Sequence, residues 1–327
     1  KYINFMRFNF GIIGCGSVAK DHATVIKKLG HQVILGTTKK KNSKNWKLFK
    51  KICPETKYVN KINEILLSNK VQYIVSCLPI DLHKKYCKKL LATNKPVLIE
   101  KPLHDNFLQL KKIMSRVNNT INNKIIGYNR RHYKTVDILR RRIKKGGLKN
   151  VEITISENYQ NLVKKYGVKI IKNALHVGSS SHIIDLAIFL FGPLDLYKKW
   201  SYKKKQFISY SAVLSTKNNI PIFLNINTSD PSLVGFKVRF DDETLWVLSP
   251  IEKLKVYKGY EILERTKKVN VRKYSPKVIL NYSEDTSFRP GFYNQMKSFI
   301  HRNYKLSPKP KENLNLLKLI NNLNKKV

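Results

Sequence analysis

Three positions near the start of the chain could do chemistry because they carry little or no side chain: Gly14, Gly16 and Ala19, in "GIIGCGSVAK". The spacing is G-x-G-x-x-A. A first glycine permits a tight turn, and a second lets the backbone approach a pyrophosphate. A small third residue lets the following helix close on its strand. The helix that follows would offer free N–H groups, those of Ser17 and Val18 first, and the positive end of its dipole to a phosphate. The plainer alternative is a tight turn that holds nothing. A bare ribose would be met by Asp or Glu about 20 residues further on. Here the chain reads "VILGTTKKK" over 33–41, with hydroxyls at Thr37 and Thr38 and charge at Lys39 and Lys40. A 2′-phosphate suits that set better than a bare ribose does, so NADP is expected over NAD.

Such a loop needs a strand before it and a helix after it. "RFNFGIIG" (7–14) reads as the strand, and "SVAKDHATVIKKLG" (17–30) has helical spacing with Gly30 as its stop. Further apolar runs at 31–38, 71–79 and 96–102 alternate with helical patterns, as at 81–94. Continuous apolar strands between helices predict a parallel sheet covered on both faces. After about residue 124 the pattern changes. A helix is expected at 135–147, a half-buried strand at 151–158 and a helix at 180–193. Several alternating strands follow over 205–282, then an amphipathic helix at 311–326. The expected fold class is α/β: a Rossmann doubly wound sheet over 1–124, then an α+β domain with an open, mostly antiparallel sheet over 125–327.

With 327 residues the chain can hold two domains, and its 42% hydrophobic residues exclude general disorder. No apolar run reaches the roughly 18 residues of a membrane span, and residues 1–10 lack the form of a signal peptide. A cytoplasmic location is the expectation. The cysteines at 15, 53, 77 and 87 form no CxxC pair. Reduced packed thiols are expected, and no metal site. The net charge of +43 invites a nucleic-acid or acidic-polymer reading. Yet lysine doublets are spread along the whole chain, beside abundant Asn and Ile, which marks compositional drift more than a binding arm.

A second constellation follows the sheet: "IVSCLPIDLHKKYC", then "KPVLIEKPL", then "GYNRRHY", then "SHIID". This order resembles the glucose–fructose oxidoreductase / inositol dehydrogenase / MocA family over most of the chain. "EKP" after a strand carries the most weight, and Pro79 to His83 (P-x-x-x-H) supports it. "GYNRRHY" and "RPGFYNQM" resemble the branch acting on nucleotide sugars and surface-glycan precursors. The resemblance implies a nicotinamide-dependent oxidoreductase acting on a secondary hydroxyl or ketone of a sugar, assembled as a dimer or tetramer. It implies that Lys101 moves the hydroxyl proton as hydride leaves. That needs an amine below its usual pKa of about 10.4. Glu100 would orient the loop, Pro102 would sit in a strained or cis peptide, and Pro79, His83 and Glu100 would line the cofactor. His182 matches the histidine that shares proton transfer, and Asp185 the aspartate that follows it. The acid expected four residues before His182 is Gly178, and the neighbouring sequence offers only Ser179, Ser180 and Ser181, with His176 as a substitute. Arg130 and Arg131 are expected to bind a substrate phosphate or carboxylate, with Tyr293 and Asn294 as weaker choices. A non-catalytic sensor of the same fold is the rival reading, resting on Gly178.

Overall fold

The computed structural model describes residues 6–168, 174–204, 207–228 and 231–325. The first five residues of the stretch read against a signal peptide, and Gln206, where a strand was expected to begin, lie outside it. The described chain forms two compact units. The first holds residues up to His132 together with Thr286–Lys318, and the second holds Tyr133–Asp285 with the C-terminal segment from Leu319. The first unit runs to His132, and the chain returns to it at Thr286. Local patterning cannot show that return, because it is made by packing between segments far apart in sequence.

In the first unit, strands β1 (Asn9–Ile13), β2 (Gln32–Thr37), β3 (Lys57–Tyr58), β4 (Tyr73–Ser76), β5 (Val97–Ile99) and β6 (Lys124–Ile126) form one sheet in the order 3-2-1-4-5-6. Every pairing is parallel. Helices α1 (Ser17–Lys28), α2 (Lys44–Ile52), α3 (Ile62–Leu66), α4 (Ile80–Ala92) and α5 (Phe107–Ser115) make the crossovers. The order reverses between β1 and β4, the switch point outside which such sheets bind ligands. The apolar runs have the reason expected of them: Phe10, Ile12, Val75 and Leu98 are fully buried. Ala19 and Ala23 pack α1 onto this core, and α1 is covered in turn by helix α10 (Phe292–Ile300), through Phe292, Met296 and Phe299. Burying each of those three side chains is worth about 1.5–3 kcal/mol.

In the second unit, helix α6 (Lys134–Ile143) precedes strand β7 (Leu148–Ser156), and helices α7 (Tyr159–Tyr166), α8 (Ala174–Val177) and α9 (Ser180–Phe191) follow it. Strands β8 (Leu194–Lys204), β9 (Phe207–Thr216), β10 (Pro221–Asn227), β11 (Gly235–Phe240), β12 (Thr244–Leu248), β13 (Lys253–Leu263) and β14 (Lys273–Ser283) complete an eight-stranded sheet in the order 14-13-12-11-7-10-9-8. It is antiparallel except where β10 runs parallel to β7. The outer half of β13 and all of β14 are exposed, with Tyr260, Ile262, Tyr274 and Ile279 uncovered. Helix α11 (Asn313–Asn324) ends the described chain.

Candidate active site

The registry of the first sheet places Thr37, Ile13, Ser76, Ile99 and Ile126 in one row across its carboxyl edge. The residues that follow these strands are therefore neighbours by construction: Thr38 and Lys39, Gly14, Cys77, Glu100 and Lys101, and Gly127. From β2 to β5 the row spans three strand spacings, about 14 Å. Backbone bonds carry the ladder past the strand ends, from Gly14 N to Thr37 O at 2.9 Å and from Cys77 N to Ile13 O at 2.7 Å.

Gly14 and Gly16 are glycines for different reasons. Gly14 has φ +91°, and a Cβ there would lie 2.7 Å from the Cys77 carbonyl oxygen, so both backbone and packing require it. Gly16 has an ordinary φ of −83°, and a Cβ would meet nothing within 4 Å. No atom of the described residues explains this glycine, whereas a pyrophosphate laid against the backbone would. Gly16 is the N-cap of α1 and makes no side-chain cap bond, and the first turn holds no acid. The N–H groups of Ser17 and Val18 have no place in the helical ladder. Lys27 and Lys28 occupy the last turn, favourably placed at the negative dipole end. The residues present thus fit a dinucleotide phosphate. At the end of β2, Thr37 is buried and the Thr38 carbonyl accepts from the Tyr58 hydroxyl at 3.1 Å. Lys39 and Lys40 are exposed.

The Glu100-Lys101-Pro102 turn is held from three sides. Glu100 N donates to Ser76 O at 2.8 Å. Glu100 Oε1 lies 2.8 Å from Nε2 of the fully buried His22 on α1, and its side chain packs on Gly127, where a Cβ would come within 2.9 Å. Lys101–Pro102 is cis, in line with the expectation for Pro102. His83, expected beside the cofactor, has both ring nitrogens engaged by the protein: Nδ1 lies 3.1 Å from Pro102 O, and Nε2 lies 3.1 Å from Ser76 Oγ. A carbonyl can only accept, so Nδ1 carries the proton and Nε2 accepts from the serine. Burial keeps this imidazole neutral, pushing its pKa down to about 4. His83 thus clamps the Lys101 turn to β4, and Glu100 ties the same turn to α1. Sequence reading missed His22 and Gly127. His22 falls on the apolar face of α1, where spacing alone marks a core position. Pro79 is the N-cap of α4.

The arginine doublet splits. Arg131 is buried and pairs with Glu312 at 3.3 Å. Arg130 keeps Nη1 buried with no hydrogen-bond partner among the described residues. His132 lies 2.8 Å from Ser307 Oγ, and burial pushes its pKa down to about 3. Asn294 donates to His132 O at 3.3 Å, and Tyr293 stacks on Phe288. Burial pushes the thiols of Cys15 and Cys87 up to about 12, and that of Cys53 up to about 11. All four cysteines are free.

In the second unit, His176 on α8 and His182 and Asp185 on α9 are buried. The absence of an acid near Gly178 is corrected here. The buried Glu157, just beyond β7, sets its carboxylate against Gly178, where a Cβ would overlap it. Its Oε2 accepts from Ser179 Oγ at 3.1 Å, Ser180 N at 2.9 Å and Ser180 Oγ at 2.8 Å. In sequence Glu157 stands 21 residues from Gly178, and only the packing of α9 on β7 joins them.

Comparison with known proteins supports the first unit directly. Residues 8–129 match the family described as "Oxidoreductase family, NAD-binding Rossmann fold". The uncharacterized protein YMR315W of Saccharomyces cerevisiae is 29% identical over 115 residues, 34% of this chain and 33% of that protein, so the match spans about a third of that curated relative. A dehydrogenase from Chromobacterium violaceum shares the fold with a TM-score of 0.77 at 14% identity, over 98% of this chain and 95% of the other. UDP-N-acetylglucosamine 3-dehydrogenase from Acidithiobacillus ferrooxidans does so at 0.72 and 12% identity, over 98% and 97%. Over residues 8–129, the chain is thus similar to the Gfo/Idh/MocA oxidoreductases with an NAD-binding Rossmann fold.

Proposed function

We propose that the protein is an NADP- or NAD-dependent oxidoreductase that moves a hydride between the nicotinamide and a secondary hydroxyl or ketone of a sugar, most simply a nucleotide-linked one. The observation that carries this reading is the carboxyl edge of the first sheet. It sets the open backbone at Gly16 and the clamped Lys101 turn on either side of the switch point. When bound, the nicotinamide supplies the hydride acceptor or donor. Gly14, Gly16 and the start of α1 would hold the pyrophosphate. Lys39 and Lys40, standing where an acid would face a bare ribose, favour NADP. The Lys101 amine holds the sugar hydroxyl and takes its proton as the C–H bond breaks, and returns it in the reverse direction. His182, in the second unit, carries an imidazole suited to moving a proton in the same reaction. The unpartnered nitrogen of Arg130 suits an anionic group on the substrate. A nucleotide sugar meets that requirement, and the nucleotide-sugar dehydrogenase among the structural neighbours agrees with it. The exposed apolar β13–β14 hairpin supports a homo-oligomer, which sedimentation velocity with Tyr260→Asp checks by a shift to a smaller species.

The test is Lys101→Met, which keeps the stem and removes the amine. Single-turnover hydride transfer, followed by nicotinamide absorbance across a panel of nucleotide sugars, should slow by about 10²–10⁴-fold, roughly 3–5 kcal/mol of barrier. Cofactor affinity should hold. Equal rates for the wild type and the variant, or a wild type that turns over no sugar, overturn the reading. The sensor alternative rests on Gly178 standing where an acid is expected, and a wild type that binds cofactor but turns over no sugar favours it.

A further inference from the structure

We infer that Glu157 is the positioning residue for His182: a carboxylate carried on a strand that holds the first turn of α9 and balances charge on its imidazole. The inference rests on the proposed role of His182 in proton transfer.

The argument begins with β7. Its inward positions run Val151, Ile153 and Ile155, all buried, and the next in the alternation is Glu157. Its backbone N–H bonds Asn227 O at 2.8 Å, so the strand geometry continues through it. An ionised carboxylate at the end of an apolar stripe is costly unless it is well bonded. Here one oxygen takes three donors, all from Ser179 and Ser180, at the start of α9. The positive end of that helix adds to the attraction. Gly178 completes the device, since any side chain there would occupy the space of the carboxylate. The bond from Ser180 N ties the acid to the backbone that carries His182 two residues later. Other titratable groups of the same segment are His176 and Asp185, both buried. When the imidazole takes a hydroxyl proton, an O–H bond breaks, an N–H bond forms and a positive charge appears. A carboxylate bonded at the start of the same helix lowers the cost of that charge.

The test uses the full chain. Imidazole NMR of nitrogen-15 histidine-labelled protein, with His182 identified by its loss in His182→Asn, reads the titration of that residue. Glu157→Gln keeps the shape and removes the charge, and the His182 pKa should fall by about one unit. Gly178→Ala should lower it too, by displacing the carboxylate. The double variant Glu157→Ala/Gly178→Asp moves the acid from strand to helix and should restore it. In turnover, Glu157→Gln should lose about tenfold or more in kcat with cofactor affinity unchanged, and the relocated acid should recover most of the loss. An unchanged His182 pKa in Glu157→Gln overturns the inference. So does a folded, cofactor-binding double variant whose kcat and His182 titration stay with Glu157→Ala. A wild type that turns over no sugar overturns the reaction instead, and the titration still decides on Glu157.

Discussion

Gly16 is the N-cap of one helix and Gly178 directly precedes the N-cap of another, and each leaves a hole where a side chain would be. The hole at Gly16 is open, with nothing of the protein within 4 Å of a Cβ. The hole at Gly178 is filled from inside by the Glu157 carboxylate. Among the described residues, no side chain caps the first helix. The second has its N-terminal groups bonded by an anion of its own chain. One glycine therefore reads as a place for a ligand and the other as a place for an acid. The distinction lies in what packs against it.

The largest expected effect breaks the first half of that contrast. Gly16→Val should weaken dinucleotide binding by about a thousandfold or more, because a side chain would fill the pyrophosphate space. The melting temperature of the free protein should hardly move, since the site is open. Unchanged affinity by calorimetry would make the loop a turn and nothing else.

Acid should sharpen the contrast next. The first unit is held by neutral imidazoles. Burial pushes His83 down to about 4 and His132 down to about 3. Unfolded, each takes a proton near 6.5, so below that pH the unfolded chain binds protons that the folded one refuses. Stability is fully present above pH 6.5 and is lost as pH falls toward 4. His83 alone accounts for about 3 kcal/mol. Denaturant midpoints measured between pH 7 and 4.5 should show that slope, and His83→Gln should flatten it.

A smaller effect tests the filled hole. Gly178→Ala should destabilise by about 1–3 kcal/mol through lost bonds to the carboxylate. In a Glu157→Ala background the same change should become neutral, or stabilising by up to about 1 kcal/mol, as an ordinary Gly→Ala replacement. Additive penalties in thermal melts would show that the two positions do not share that space. The smallest effect concerns cofactor choice. NADPH should bind about tenfold more tightly than NADH at low salt, with the gap closing as ionic strength rises. Equal affinities at low salt would remove Lys39 and Lys40 from the site.

The parallel sheet, the glycine loop and the E-K-P turn were legible because each is local. Apolar runs marked buried strands, and strict spacing marked the loop. The cis Lys101–Pro102 peptide met the expectation that the family resemblance implied. Legibility failed wherever a partner came from far along the chain. The Arg130–Arg131 doublet reads as two equal cations until Glu312 is brought to one of them. The partners of the His83 ring nitrogens, Ser76 and Pro102, are not marked by its local sequence.

The sequence by itself determined the fold class of both units and the backbone cradle of the first, since these follow from periodicity, glycine placement and short-range sterics. Only the tertiary structure decided which polar groups are spent on the fold. It assigned Arg131 to Glu312, Glu100 to His22 and the space beside Gly178 to Glu157. The physical reason is the cost of burial. A charged or polar side chain taken out of water must find a partner, and that partner is chosen by packing in three dimensions, at separations that no local pattern records.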